Sequence, residues 1–198
     1  MRSLFAALCL SLIVLGISGT KQKVPNGQPA SDKDAVPMIL EKNEGEQRMR
    51  RPREVPVPSM GFMFKIDRMN GGSKHLVLGT EEIPPGRIIP RHHHMGQDEI
   101  LLVQSSTAHV WLGNSERDVH AGAVVFIPSG TWISLKNTGQ ENLALAFVFS
   151  EPGFDDYLRC TSVGVSEQSS TLTDQEWKDC QHRGHAEFAS ASSSQPPK

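Results

Sequence analysis

"GRIIPRHHHMGQDEILLV", residues 86–103, sets three consecutive histidines, His92 to His94, ahead of a glutamate, Glu99, that opens an apolar run. In a strand, side chains two apart share a face. His92 and His94 are therefore expected to point together, with His93 on the opposite face. A turn through "MGQD" would bring Glu99 onto the next strand. Two imidazoles and one carboxylate converging from adjacent strands suit a divalent transition metal such as Fe, Mn, Zn, Ni or Cu. Neutral imidazole and carboxylate are the forms that ligate at neutral pH. On spacing alone a second reading stands beside it, a solvated loop whose histidines titrate one by one.

Around this stretch, from Met60 to Phe149, short apolar runs alternate with turn signals. "HLVLGT", "EILLV", "TAHVWL", "AVVFI", "WISL" and "LALAFVF" are separated by segments such as "IPPG", "LGNSE", "PSG" and "NTG". Strands of that length and spacing predict an all-β antiparallel sandwich or barrel. No helical stripe is long enough to cover a parallel sheet, which argues against an α/β fold. After Phe149, "EPGFDDYLRC" predicts a short helix. "TDQEWKDCQHRG" predicts a better one, with Thr173 and Glu176 as a reciprocal cap and Gly184 as the stop.

The outer segments differ. "MRSLFAALCLSLIVLGISG" has a basic flank, an apolar run and small residues behind it, which is the pattern of a signal peptide over residues 1–19. The run is short for a membrane span, which needs about 20 residues. A retained N-terminal anchor is the alternative to cleavage and export. Residues 20–59 are polar and rich in proline, so a disordered linker is expected. Its "RMRRPR" reads as a solvated charge run near Glu41, Glu44 and Glu46, with attraction to an anionic surface as the alternative. Residues 188–198 read as a disordered tail. Without the signal segment two cysteines remain, Cys160 and Cys180, and an even count in an exported chain suggests a disulfide. The chain of 198 residues and formal charge −2 fits one domain with extensions and offers no case for a nucleic-acid partner.

The combined pattern resembles the small single-domain cupins. Their first motif is a glycine, five residues, HxH, three or four residues, a glutamate, six residues and a glycine. Gly86, His92, His94 and Glu99 match it, and Ser106 stands at the closing glycine. Their second motif is matched by Gly122, Pro128, Gly130 and Asn137, but Ile133 occupies the place of its histidine. The resemblance spans roughly Phe62 to Leu158. It implies a double-stranded β-helix, or jelly roll, over residues 60–158, followed by a helical extension over 159–187. It also implies a divalent metal held by His92, His94 and Glu99, one ligand short of the family's four. The expected pocket walls are Ile133, Trp111, Phe126 and Phe147. An exported metal-dependent enzyme, dioxygenase-like and acting on a small organic substrate, is one expectation. A non-catalytic module that binds a small ligand at a degenerate metal site is the alternative. A homodimer is a further expectation from the family.

Overall fold

The strand pattern of the middle of the chain is the pattern of the fold. A computed structural model describes residues 35–53 and 60–189. The signal segment, residues 20–34 of the expected linker and residues 190–198 of the tail lie outside the described residues. The strands are β1 (Glu46–Arg50), β2 (Gly61–Ile66), β3 (Val77–Ile83), β4 (Ile88–His94), β5 (Glu99–Val103) and β6 (Thr107–Leu112). They continue as β7 (Ser115–His120), β8 (Val124–Ile127), β9 (Ile133–Asn137), β10 (Leu143–Phe149), β11 (Ser162–Gly164) and β12 (Ala186–Phe188). Two helices, α1 (Phe154–Cys160) and α2 (Asp174–Arg183), follow the main run of strands.

The strands form two antiparallel sheets, ordered β11-β1-β2-β3-β10-β5-β8 and β12-β4-β9-β6-β7. Their inner faces make one core. Val77, Ile83, Val103, Leu135, Leu143, Leu145 and Phe149 are almost wholly buried, as period-2 alternation on two facing sheets requires. Burying side chains of this size contributes roughly 1.5–3 kcal/mol each relative to exposure. The all-β jelly roll expected from the sequence is thus present.

The linker expectation fails over part of its length. Residues 46–50 form β1, which is inserted between β2 and β11. Its alternation is carried by arginine rather than by apolar residues, which is why it reads as a charge run. Arg48 Nε donates to Ser162 Oγ at 2.7 Å and its Nη1 to Glu46 Oε1 at 2.6 Å. The guanidiniums of Arg50 and Arg159 lie over the rings of Phe62 and Phe64 at 5.0 and 4.4 Å. The preceding turn is tied down by Lys65, whose ammonium donates to the carbonyls of Glu41, Lys42 and Glu44 at 2.5–2.7 Å. The sheets therefore extend past residue 60 at one end and past 158 at the other. Phe188, placed by sequence in the tail, belongs to β12.

Helix α2 begins with a complete capping box. Glu176 N–H donates to Thr173 Oγ1 at 3.2 Å, and Thr173 N–H donates to Glu176 Oε2 at 2.8 Å. Gly184 ends the helix, where a Cβ would meet Tyr157 of α1. The Cys160–Cys180 disulfide joins the two helices with a Cα separation of 5.5 Å. Of the residues of α2, Cys180 alone is buried. The bridge, rather than an apolar stripe, fastens this helix to the body.

Candidate ligand cavity and histidine cluster

Strand β4 carries the histidines, and a bulge aims them. Ile89 pairs with Leu135 and His92 with Ile133, so β4 has one residue more than β9 over this interval. Pro90 sits inside it, in a position that tolerates the missing backbone donor. The Pro90 carbonyl accepts from His92 Nδ1 at 2.7 Å. That bond holds the His92 tautomer with Nδ1 protonated and leaves Nε2 as the acceptor.

His92, His94 and Glu99 are all buried. The His92 ring lies between two aromatics, stacked on Phe188 at 5.1 Å and on Phe154 at 5.9 Å. His94 packs edge-on against Phe154 and Phe149, and its Nε2 lies 3.0 Å from Glu99 Oε2. His93 is turned to the other face. Its ring meets Trp132 at 4.3 Å and its Nε2 meets Glu187 of β12 at 3.0 Å. His109, on the outer face of β6, bonds Asp118 at 2.6 Å.

Burial sets the charge states. Desolvation first, then the neighbouring imidazole of His94, lower His92 to about 4. Desolvation first, then His93, lower His94 to about 3. Desolvation raises Glu99 to about 7, with His92 opposing weakly. Both imidazoles are neutral at pH 7, and Glu99 is divided between acid and carboxylate.

These are metal-ligand types, and the arrangement tests whether they form a site. A ligating histidine donates its second ring N–H to a partner, which fixes the tautomer. His92 meets that requirement through Pro90. His94 does not, because its Nδ1 is buried without a hydrogen-bond partner. The simplest state has His94 Nε2–H donating to Glu99, because an unpaired acceptor nitrogen costs less than an unpaired N–H. Ile133, 2% exposed, stands opposite His92 and supplies no donor. Among the described residues, no group of three or more His, Cys, Asp or Glu side chains is placed to hold a metal ion. The three expected ligands come together as a His94–Glu99 pair with the His92 ring 4.9 Å from that of His94.

Next to the pair lies a cavity of about 420 Å³. Its floor includes His92, Glu99, Ile133, Leu145, Phe147 and Phe149. Its roof comes from beyond the barrel, with Tyr157, Leu172, Trp177 and Phe188. Arg50, Arg51 and Arg53, with side chains 16–27% exposed, and the buried Glu81 also line it.

Two expected wall residues are corrected. Phe126 is 54% exposed, since β8 turns Val125 and Ile127 inward and Phe126 out. Trp111 lies on the outer face of β6, against His109 at 4.4 Å, while Ala108 and Val110 face the core. Neither lines the cavity; Ile133 and Phe147 do. The roof aromatics were missed, and their one sequence signal was the cysteine pair, which folds Trp177 back onto the barrel. The arginines of the wall are those of "RMRRPR", read from sequence as a charge run.

Residues 79–149 match the family model described as Cupin domain. No curated protein matches the chain. A sugar phosphate isomerase from a cupin superfamily, from Silicibacter pomeroyi, superposes with a TM-score of 0.51 at 19% identity, over 59% of this chain and 77% of that one. A predicted oxalate decarboxylase from Thermotoga maritima gives 0.49 at 20% identity, over 58% of this chain and 99% of that one. The isomerase likeness shows a shared fold and carries no substrate across.

Proposed function

We propose that this cupin-fold barrel binds a small organic molecule with an apolar body and a hydroxyl-bearing end, the hydroxyl resting against His92 and Glu99. The observation that carries this reading is an apolar cavity whose floor holds one neutral acceptor imidazole and one carboxyl raised to about 7. Sites of this size and lining, with a few convergent polar groups, are those that take small ligands. His92 Nε2 accepts from the ligand hydroxyl. Glu99 holds or exchanges a proton with the same oxygen, since its titration point lies near neutrality. His94 keeps Glu99 oriented. Titration with 4-propylphenol and with its methyl ether tests the reading. One-to-one binding of the phenol, weakened about tenfold by blocking the hydroxyl and by His92→Phe, is expected. Equal affinity for both probes would overturn the polar floor.

A second reading is favoured by one observation: His92 Nδ1 already has the carbonyl partner that a metal-bound imidazole needs. Here His92, His94 and Glu99 hold a divalent metal once the proton shared by His94 and Glu99 is displaced. Elemental analysis after separate loading with Mn, Fe, Ni, Cu and Zn decides between the two. Stoichiometric metal that His92→Ala, His94→Ala and Glu99→Ala each abolish would establish the second reading.

The same proposal takes the protein as exported, an inference supported by its N-terminal pattern and the Cys160–Cys180 bridge. A mature N-terminus near Gly19 or Thr20 is expected by mass spectrometry. The working form is taken as a homodimer joined along β8, an edge strand. There Ile100, Leu102, Val124 and Phe126 expose apolar surface on neighbouring strands. Sedimentation of Phe126→Glu as a monomer is the expected result.

A further inference from the structure

We infer that the ligand of this cavity also carries an anionic group at its outer end, held by Arg53. This rests on the small-molecule reading above and specifies its ligand class: one negative group on an apolar body.

Among the described residues, the charged side chains on the cavity wall are unequal in number. Arg50, Arg51 and Arg53 stand against Glu81 and the partly protonated Glu99. Glutamate and aspartate partners of the other two arginines, Glu176 and Asp174, sit outside the wall, with side chains 48% and 70% exposed. A low-dielectric cleft with an excess of one sign focuses its field on the opposite charge.

The arginines also differ in how firmly they are held. Arg48 on the same segment is structural, bonded at 2.6 and 2.7 Å to Glu46 and Ser162. Arg51 is likewise committed, with Ser170 O and Oγ accepting at 3.1 and 2.8 Å. Arg53 instead meets Asp174 at 3.5 Å, longer than a tight guanidinium–carboxylate bond of about 2.7–2.9 Å. The Arg53–Asp174 pair is exposed enough for solvent to screen it. The Arg53 guanidinium sits over the Trp177 ring, 3.8 Å from its centroid. The stack pre-orients the guanidinium beside an apolar roof, so an anion there meets a fork that is already placed. An apolar body against Trp177 and Phe188 then continues inward to the floor.

Two fluorescent probes that differ by one sulfonate test this: 8-anilinonaphthalene-1-sulfonate and the uncharged N-phenyl-1-naphthylamine. With the full-length protein, the sulfonate should bind one-to-one and about tenfold tighter than the neutral probe. The advantage should shrink as salt is raised. Arg53→Ala should remove most of it while changing affinity for the neutral probe less than about twofold. Arg53→Lys, which keeps charge without the fork, should fall between. If Arg53→Ala fails to fold, the salt titration of the wild type and the lysine variant decide the matter. Equal one-to-one binding of both probes, insensitive to salt and to Arg53, would overturn the anionic end and leave the cavity reading standing. Binding of neither probe would overturn both.

Discussion

Phe149 and Phe188 face the same cavity from opposite sides, and they are held there by different means. Phe149 lies in β10, between β3 and β5, and is 1% exposed. Phe188 lies in β12, a three-residue strand paired, among the described residues, with β4 alone, and rests on His92, Tyr157 and Trp177. The floor is thus fixed by the collective core of two sheets. The roof is fixed by a disulfide, a cap and ring stacking. A cavity built in this way can keep its barrel while losing its cover.

The largest expected effect falls on the floor. Phe149→Ala should cost about 3–5 kcal/mol, the range for a buried aromatic truncation, as a fall in the urea midpoint of the whole domain. A smaller loss, with the barrel's amides still protected, would mean that Phe149 is not part of the common core. Next comes the roof. Cys160→Ala with Cys180→Ala should cost about 3 kcal/mol by the chain-entropy relation for a short loop. In hydrogen exchange the loss should fall on α2 and β12, with β3 and β10 spared. Equal deprotection of floor and roof would erase the distinction drawn here.

The floor also has a pH signature. Between about 4.5 and 6.5, the folded state binds fewer protons than the unfolded chain at His92 and His94, whose values drop from 6.5 to about 4 and 3. It binds more at Glu99, raised from 4.5 to about 7. The net difference is one proton, so stability should rise with pH over this window by up to about 1.4 kcal/mol per unit. From about 6.5 to 7 the protons still held by the two histidines in the unfolded chain and the proton held by Glu99 in the folded one come to cancel, and stability should level off. Glu99→Gln removes the opposing proton, steepening the rise and carrying it on to about pH 7 in urea titrations across pH. An unchanged profile would show that Glu99 titrates normally.

The smallest expected effect is a gain. Ser106 occupies the closing glycine position of the first motif and has φ of 66°, where a Cβ is strained. Ser106→Gly should raise stability by roughly 0.5–1 kcal/mol, read as a small increase in melting temperature. A loss would mean that the bond from Ser106 Oγ to the Glu141 carbonyl, at 3.3 Å, outweighs the strain.

The floor was legible in the sequence and most of the roof was not. Barrel strands advertise themselves through alternating apolar residues, and His92, His94 and Glu99 through their spacing. Thr173, Glu176 and Gly184 marked α2 because caps are local chemistry. Strand β1 stayed hidden because arginine stems do the burying. Trp111 and Phe126 were misplaced because aromatic character says nothing about which face of a strand a residue occupies. The orientation of His94 was equally invisible, since it depends on a nitrogen left without a partner inside the core. Phe188 joins the wall by pairing with His92, 96 residues upstream, which no local pattern encodes.

Strand β1 has a consequence for the order in which this molecule can assemble. It sits between β2 and β11, and its Arg48 reaches Ser162, 114 residues further along. A chain made from its N-terminus must therefore hold residues 46–50 half-paired until the last quarter is available. Contacts this distant are slow to form, because loop closure precedes any reward. The barrel can collapse early from neighbouring strands, while β1, β11 and the cysteine pair close late and together. A protein stopped at that point would have a finished barrel, two free thiols and an open cavity, a state that thiol-trapping during refolding would capture.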